Sequence, residues 1–258
     1  NPDFKKEQKV SGNKRFELIK QKFQEFLNKK IINKENKDAF YIYELNHEGN
    51  CFKGIIGATS TKEYNEGIIK KHEKTIEKRE NLFTKYLSIT NFNADPVLLS
   101  YKSNNNIDNL INNFSNSRAE YEFTTANKAS HKLWVITKPE EILKISNEFK
   151  KVDFLYIADG HHRTASSFRL SKENGPKFFM SFLINENHIK IYSFNRIIMK
   201  LKDLNKEALI SEISQKFVIK KIEKLDFQSK KENEILLYLK NNSYSLIPKK
   251  ESYNGDIL

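Results

Sequence analysis

The stretch 155–168, LYIADGHHRTASSF, concentrates the side chains that could do chemistry. An apolar run stops at Asp159, Gly160 permits a tight turn, and a helix is expected from 160 to about 173. A helix start carries backbone N–H groups without intrahelical partners and the positive end of the peptide dipole. His161, His162 and Arg163 add side-chain donors beside them. Such a junction suits an anion, above all a phosphate, and a guanidinium can grip two phosphate oxygens at once. Asp159, at the strand's C-terminal edge, can orient a histidine or hold a metal ion through water. The plainer reading makes Asp159 a helix cap and both histidines surface residues. D-G-H-H-R in succession at a strand–helix junction favours function over that reading. A two-histidine metal centre is disfavoured, because neighbours on a helix point about 100° apart and do not easily face one ion.

A second segment, KKHEKTIEKRE at 70–80, places His72 and Glu73 just before another expected helix. Alone, the pair reads as a helix-entry acid favoured by the dipole. No H-E-x-x-H zinc motif is present.

The two segments together resemble the bacterial domain of unknown function 1015. The likeness runs through GIIKKHEKTIEKRENLFTKYLSITNFNADPVLLSY, SHKLWVI, LYIADGHHRTASSF, and KFFMSFLIN with FNRII. It covers roughly 50–200 well and the flanks loosely. Members are usually longer at both ends. The motifs are also similar to those of the free serine kinases, which have the ParB/sulfiredoxin-like fold. That resemblance implies that Glu73 is the catalytic base, with His72 as its rival and Asp159 beside them. It implies that Asp159, Gly160, His161, His162 and Arg163 form the phosphate and nucleotide site. Ser193 and Phe194 would lie near the amino acid, in a stretch Ile191–Tyr192–Ser193–Phe194 that stands for an aliphatic–Tyr–Thr–Trp pattern. The co-substrates implied are serine or phosphoserine and an adenine nucleotide (ADP, AMP or ATP), with Mg²⁺. Three departures stand out: Glu73 and Asp159 are 86 positions apart, further than in those kinases, Thr164 stands where an aromatic often follows the motif arginine, and Phe194 replaces Trp. The spacing implies an inserted module at roughly 95–150.

The elements that must position these residues can be read from periodicity. Residues 14–30 place Phe16, Ile19, Phe23, Phe26 and Leu27 at helical spacing. Strands at 39–45 and 51–58 flank the turn NHEGN and form a hairpin. Thr75 can cap a helix from 76 to about 89 with Leu82, Phe83, Tyr86 and Leu87 on one face. A strand is expected at 96–101, and paired strands at 119–126 and 131–137. The asparagine-rich stretch 103–117 reads as weak helix or loop, and as a mobile surface segment, since it offers little apolar area. Pro139 opens a helix to about 150, and 153–159 is a buried strand. Strands at 177–185 and 188–198 are expected to pair around Glu186 and Asn187. Asp203 can cap a helix to about 216, before a strand near 217–223. The fold class expected is α+β: a ParB/sulfiredoxin-like mixed sheet with flanking helices and an inserted α/β module. The expected divisions are 1–60 (helix and hairpin), 61–200 (the core with both motifs) and 201–258 (a truncated α/β segment).

Composition limits the partners. The 258 residues carry a net charge of +12, but only six of the 45 basic residues are arginine. The lysines are spread along the chain among asparagines and isoleucines, as AT-rich codon usage produces. Backbone binding to nucleic acid needs clustered charge, and base readout favours arginine, so no nucleic-acid partner is expected. No run approaches the roughly 18 apolar residues of a membrane span. The polar start, NPDFKKEQKV, has no leader pattern, and a cytoplasmic location is expected. The chain begins without methionine, and a fragment of a longer protein is expected. Cys51 is the single cysteine and is far from the D-G-H-H-R turn, which argues against sulfiredoxin-type repair. The leading expectation is a phosphotransferase acting on serine or a similar small hydroxyl compound. The alternatives are a module that binds a phosphometabolite or nucleotide without turnover, and a phosphoserine phosphatase.

Overall fold

The computed structural model describes residues 12–191, 195–198, 205–223, 233–239 and 241–250. The chain divides into two units, Asn1–Ile189 and Lys190–Leu258. Both candidate motifs belong to the first.

In the first unit, Phe40–His47 (β1) and Asn50–Ser60 (β2) pair antiparallel with Ile42 opposite Ile55. Both side chains are fully buried, because alternation sends them to the same face. Glu48 and Gly49 make the two-residue connection, both at positive φ, the turn whose twist matches a hairpin. The strands Ile69–Lys70 (β3), Val97–Tyr101 (β4), Tyr121–Thr124 (β5), Ser130–Ile136 (β6), Leu155–Asp159 (β7) and Phe178–Asn185 (β8) complete one sheet. Its order is β3-β7-β4-β8-β2-β1-β6-β5. The pairs β3–β7 and β4–β8 are parallel and the others antiparallel. β8 is hydrogen-bonded on both sides, which suits its nearly unbroken apolar sequence. Six α-helices among the described residues accompany the sheet: Asn13–Asn28 (α1), Thr61–Asn65 (α2), Glu77–Thr90 (α3), Asn105–Phe114 (α4), Pro139–Phe149 (α5) and His161–Lys172 (α6). The core joins Ile42, Ile55, Leu99, Tyr101, Trp134 and Ile157 of the sheet to Ile107, Ile111 and Ile145 of α4 and α5.

Among its described residues, the second unit holds one helix, Lys206–Lys216 (α7), and the antiparallel strands Phe217–Ile222 (β9), Ile235–Leu239 (β10) and Asn242–Pro248 (β11) in the order β10-β11-β9. Asn205 caps α7 by accepting from the Ala208 N–H at 2.8 Å. Asp203, the expected cap, lies outside the described residues.

The structure is mixed α and β with a mixed sheet, and no helix among the described residues is long and apolar enough to cross a membrane. It differs from expectation in four places. The stretch 103–117 contains a regular helix, α4, not a loose surface segment. Asn104 caps it by accepting from the Asn106 and Ile107 N–H groups, and Ile107 and Ile111, one turn apart, are 1% and 4% exposed. Two well-placed isoleucines anchor a helix that its asparagines would not support alone. Second, 95–150 supplies β4, β5 and β6 to the common sheet, with β4 between β7 and β8, and no boundary near residue 60 separates units. Third, β8 pairs with β2 and β4, and residues 189–191 and 195–198 form no strand. Fourth, α3 begins at Glu77 without a side-chain cap; Thr75 instead bonds the Glu80 carboxylate, while Leu82 and Phe83 are exposed.

Candidate functional site

The D-G-H-H-R residues occupy the junction of β7 and α6. β7 ends at Asp159, and Gly160 takes φ +102°, a conformation that side chains disfavour. A second constraint acts on the same position. A Cβ there would meet Nε, Cζ and Nη2 of Arg163 at 3.1, 3.3 and 3.2 Å, so the guanidinium lies directly over the glycine. No side chain caps α6, which leaves the N–H groups of its first turn free of a capping oxygen. Thr164, in the place where an aromatic was expected, is fully buried, and its hydroxyl donates to the Gly160 carbonyl at 3.2 Å.

Arg163 is held from three sides. Nη1 donates to the Asp95 carboxylate and, at 2.7 Å, to the Pro96 carbonyl; Nη2 donates to the Asp159 carboxylate. Asp95 and Asp159 are 72% and 71% exposed, so their pairing with Arg163 is formed largely in water. Asp95 was not singled out in the sequence. It precedes Pro96 at the entry to β4, and D-P there reads only as a turn.

Small polar residues bring the H-E segment to this turn. α3 packs along α6 through Thr84, Ser166 and their neighbours. The Ser166 hydroxyl lies 2.6 Å from the His162 carbonyl and 3.1 Å from the Glu80 carbonyl, and the Thr84 hydroxyl donates to the Ser166 carbonyl at 3.4 Å. Short side chains let the helices approach closely, and this close packing sets the N-terminus of α3 beside that of α6. There the Ile76 N–H donates to His162 Nε2 at 3.0 Å. His162 thus accepts through Nε2.

His72 and Glu73 reach the same turn from the loop after β3. The rings of His72 and His161 meet edge to face at 4.5 Å and 84°. His161 Nδ1 lies 3.6 Å from Glu73 Oε2, a contact longer than a hydrogen bond. His161 is 5% exposed, and its Nε2 is buried without a hydrogen-bond partner. Burial, and then the neighbouring His72, push the His161 pKa below its ordinary value, while Glu73 and Asp159 pull it back up more weakly. The ring is therefore neutral at neutral pH, and the Glu73 contact is not an ion pair there. Glu73 itself is 58% exposed.

The turn thus gathers Glu73, Asp95, Asp159 and Arg163, with three histidines. Among the described residues no group of three His, Cys, Asp or Glu side chains could enclose a metal ion. Mg²⁺ needs no such cage: it retains waters and takes one or two carboxylates with substrate phosphates. Asp159 fits that limited donor set. Ser193 and Phe194 lie outside the described residues.

The model of the family described as protein of unknown function (DUF1015) matches residues 1–257. The chain belongs to this family. No curated protein and no solved structure matches it. In this DUF1015 chain, D-G-H-H-R and H-E converge at one place although 86 residues separate Asp159 from Glu73.

Proposed function

We propose that the chain transfers a phosphoryl group between an adenine nucleotide and free serine or phosphoserine, on a ParB/sulfiredoxin-like arrangement of sheet and helices. The observation that carries this reading is the approach of Glu73 to the start of α6, 3.6 Å from His161. A module that only bound a phosphometabolite would need no carboxylate there. In the forward direction the serine Oγ attacks phosphorus, the bond to the nucleotide's bridging oxygen breaks, and Glu73 takes the hydroxyl proton. The free N–H groups at the start of α6 receive the phosphate oxygens. Positioning and charge stabilisation do most of the work in such a loose transition state. Asp159 would hold Mg²⁺, whose charge would offset the repulsion between phosphate and the three carboxylates. His72 is the competing base.

The test is a screen of serine and phosphoserine against AMP, ADP and ATP with Mg²⁺, read by phosphorus NMR. Appearance of a phosphoserine resonance, or its loss with gain of a higher nucleotide phosphate, is the expected result. Release of inorganic phosphate alone would favour the phosphatase reading. Nucleotide binding with no transfer in either direction would favour the binding module.

A further inference from the structure

Arg163 is the one arginine of the D-G-H-H-R motif, yet its guanidinium is already engaged. Nη1 faces Asp95 and the Pro96 carbonyl, and Nη2 faces Asp159. Asp159 and Arg163 are four residues apart, so their pairing is local. Asp95 differs. It is 68 residues away, at the entry to β4, and it ties that loop to the start of α6. The guanidinium also fills the space that a side chain at position 160 would need.

We infer that Asp95 is a specificity-determining residue that competes with the incoming phosphate for Arg163. This rests on the reading that the α6 turn receives a phosphate. A phosphate that takes two donors of Arg163 must share or displace a carboxylate. Asp159 sits within the motif, four residues from Arg163. Asp95 is the partner that a small swing of the side chain releases, because it belongs to a different loop. The exposed pair is weak enough to be exchanged. A ligand with a single weak negative charge would not displace Asp95, whereas a phosphate, with more charge and three terminal oxygens, would. Asp95 therefore raises the threshold for anions and favours multiply charged phosphates over carboxylates or chloride.

The experiment is a double-mutant cycle on the full chain at fixed ionic strength. Inorganic phosphate and ADP are titrated calorimetrically into the wild type, Asp95→Ala, Arg163→Ala and the double variant. Asp95→Asn serves as a second, shape-conserving variant, and circular dichroism checks each fold. Asp95→Ala is expected to tighten phosphate binding about two- to fivefold, the range of one exposed ion pair. Acetate, titrated alongside, is expected to gain more than phosphate, because the barrier weighs most on weak anions; an equal gain leaves selectivity unchanged and overturns the specificity claim. The gain should vanish when Arg163 is already alanine. Unchanged or weaker phosphate binding in both Asp95 variants, with wild-type binding intact, overturns the inference and leaves the phosphate site standing. A gain that persists without Arg163 reduces Asp95 to a general field effect and also overturns it. If neither wild type nor Asp95→Ala binds phosphate or ADP, both the inference and the phosphate-site reading fall.

Discussion

Glu73 has more than half of its surface in water, yet one carboxylate oxygen lies against a buried histidine. An exposed carboxylate can still accept a proton from serine, because the proton moves late in a loose phosphoryl transfer. Glu73→Gln keeps the shape and removes the basicity. It is expected to lower kcat by about two to four orders of magnitude in both directions, with nucleotide affinity nearly unchanged. Normal turnover in Glu73→Gln beside a dead His72→Ala would transfer the role to the histidine. His161 yields a second expectation, about stability. Burial first, and His72 second, depress its pKa in the folded state. The unfolded chain therefore binds the proton more readily, and unfolding takes up protons as the pH falls. The His161 contribution is fully present above the ordinary histidine value of about 6.5 and is lost as pH falls from there through the folded pKa. Melting temperatures of the wild type should drop between pH 7 and pH 5 more steeply than those of His161→Gln. Parallel curves for the two proteins would show that His161 does not carry this acid sensitivity.

At the scale of elements, the sequence revealed the strand–glycine–helix junction because each part has a local signal: an apolar run, an aspartate, a glycine and a cationic helix start. Gly160 is expected to be intolerant of substitution on two counts, its φ of +102° and the guanidinium 3.1 Å from any added Cβ. Gly160→Ala should cost about 1–3 kcal/mol of stability, the usual range for such backbone strain, and should weaken phosphate binding by displacing Arg163. Urea unfolding and calorimetry would read the two effects separately, and a fully stable, fully binding alanine variant would refute the account. What the sequence did not reveal was set by long-range partners. The α4 helix is a case. Its asparagines read as weak helix or loop, while the burial of Ile107 and Ile111 depends on sheet strands far along the chain. Ile107→Ala should cost about 2–5 kcal/mol, which denaturant titration can measure. A cost near zero would restore the picture of a loose surface segment. Asp95 was illegible for the same reason: only the fold brings a turn aspartate to an arginine 68 residues away. The polar α3–α6 contact also escaped periodicity, because threonine and serine, not Leu82 and Phe83, face the neighbouring helix.

At the scale of the whole molecule, both motifs lie in the first unit, before the division at Ile189 and Lys190. Glu73, Asp95, Asp159, Arg163 and the three histidines lie before it, while Ser193 and Phe194, implied to lie near the amino acid, come after it. Every strand of the eight-stranded sheet also comes before it, and β8, the last of them in the chain, has both of its pairing partners within the same unit. The first unit therefore contains its own core, from Ile42 and Ile55 through Ile107 and Ile145 to Leu183. A protein ending at Ile189 is expected to unfold in one cooperative transition and to bind phosphate and ADP as the full chain does. It should nevertheless fail to transfer a phosphoryl group to serine, because the residues implied to hold the amino acid are missing. Thermal melts, calorimetry and phosphorus NMR on the two proteins would check the three outcomes in turn. Retained transfer to serine would place the amino-acid site within the first unit and remove Ser193 and Phe194 from it. Loss of phosphate binding with the fold intact would show that the first unit alone does not make the anion site.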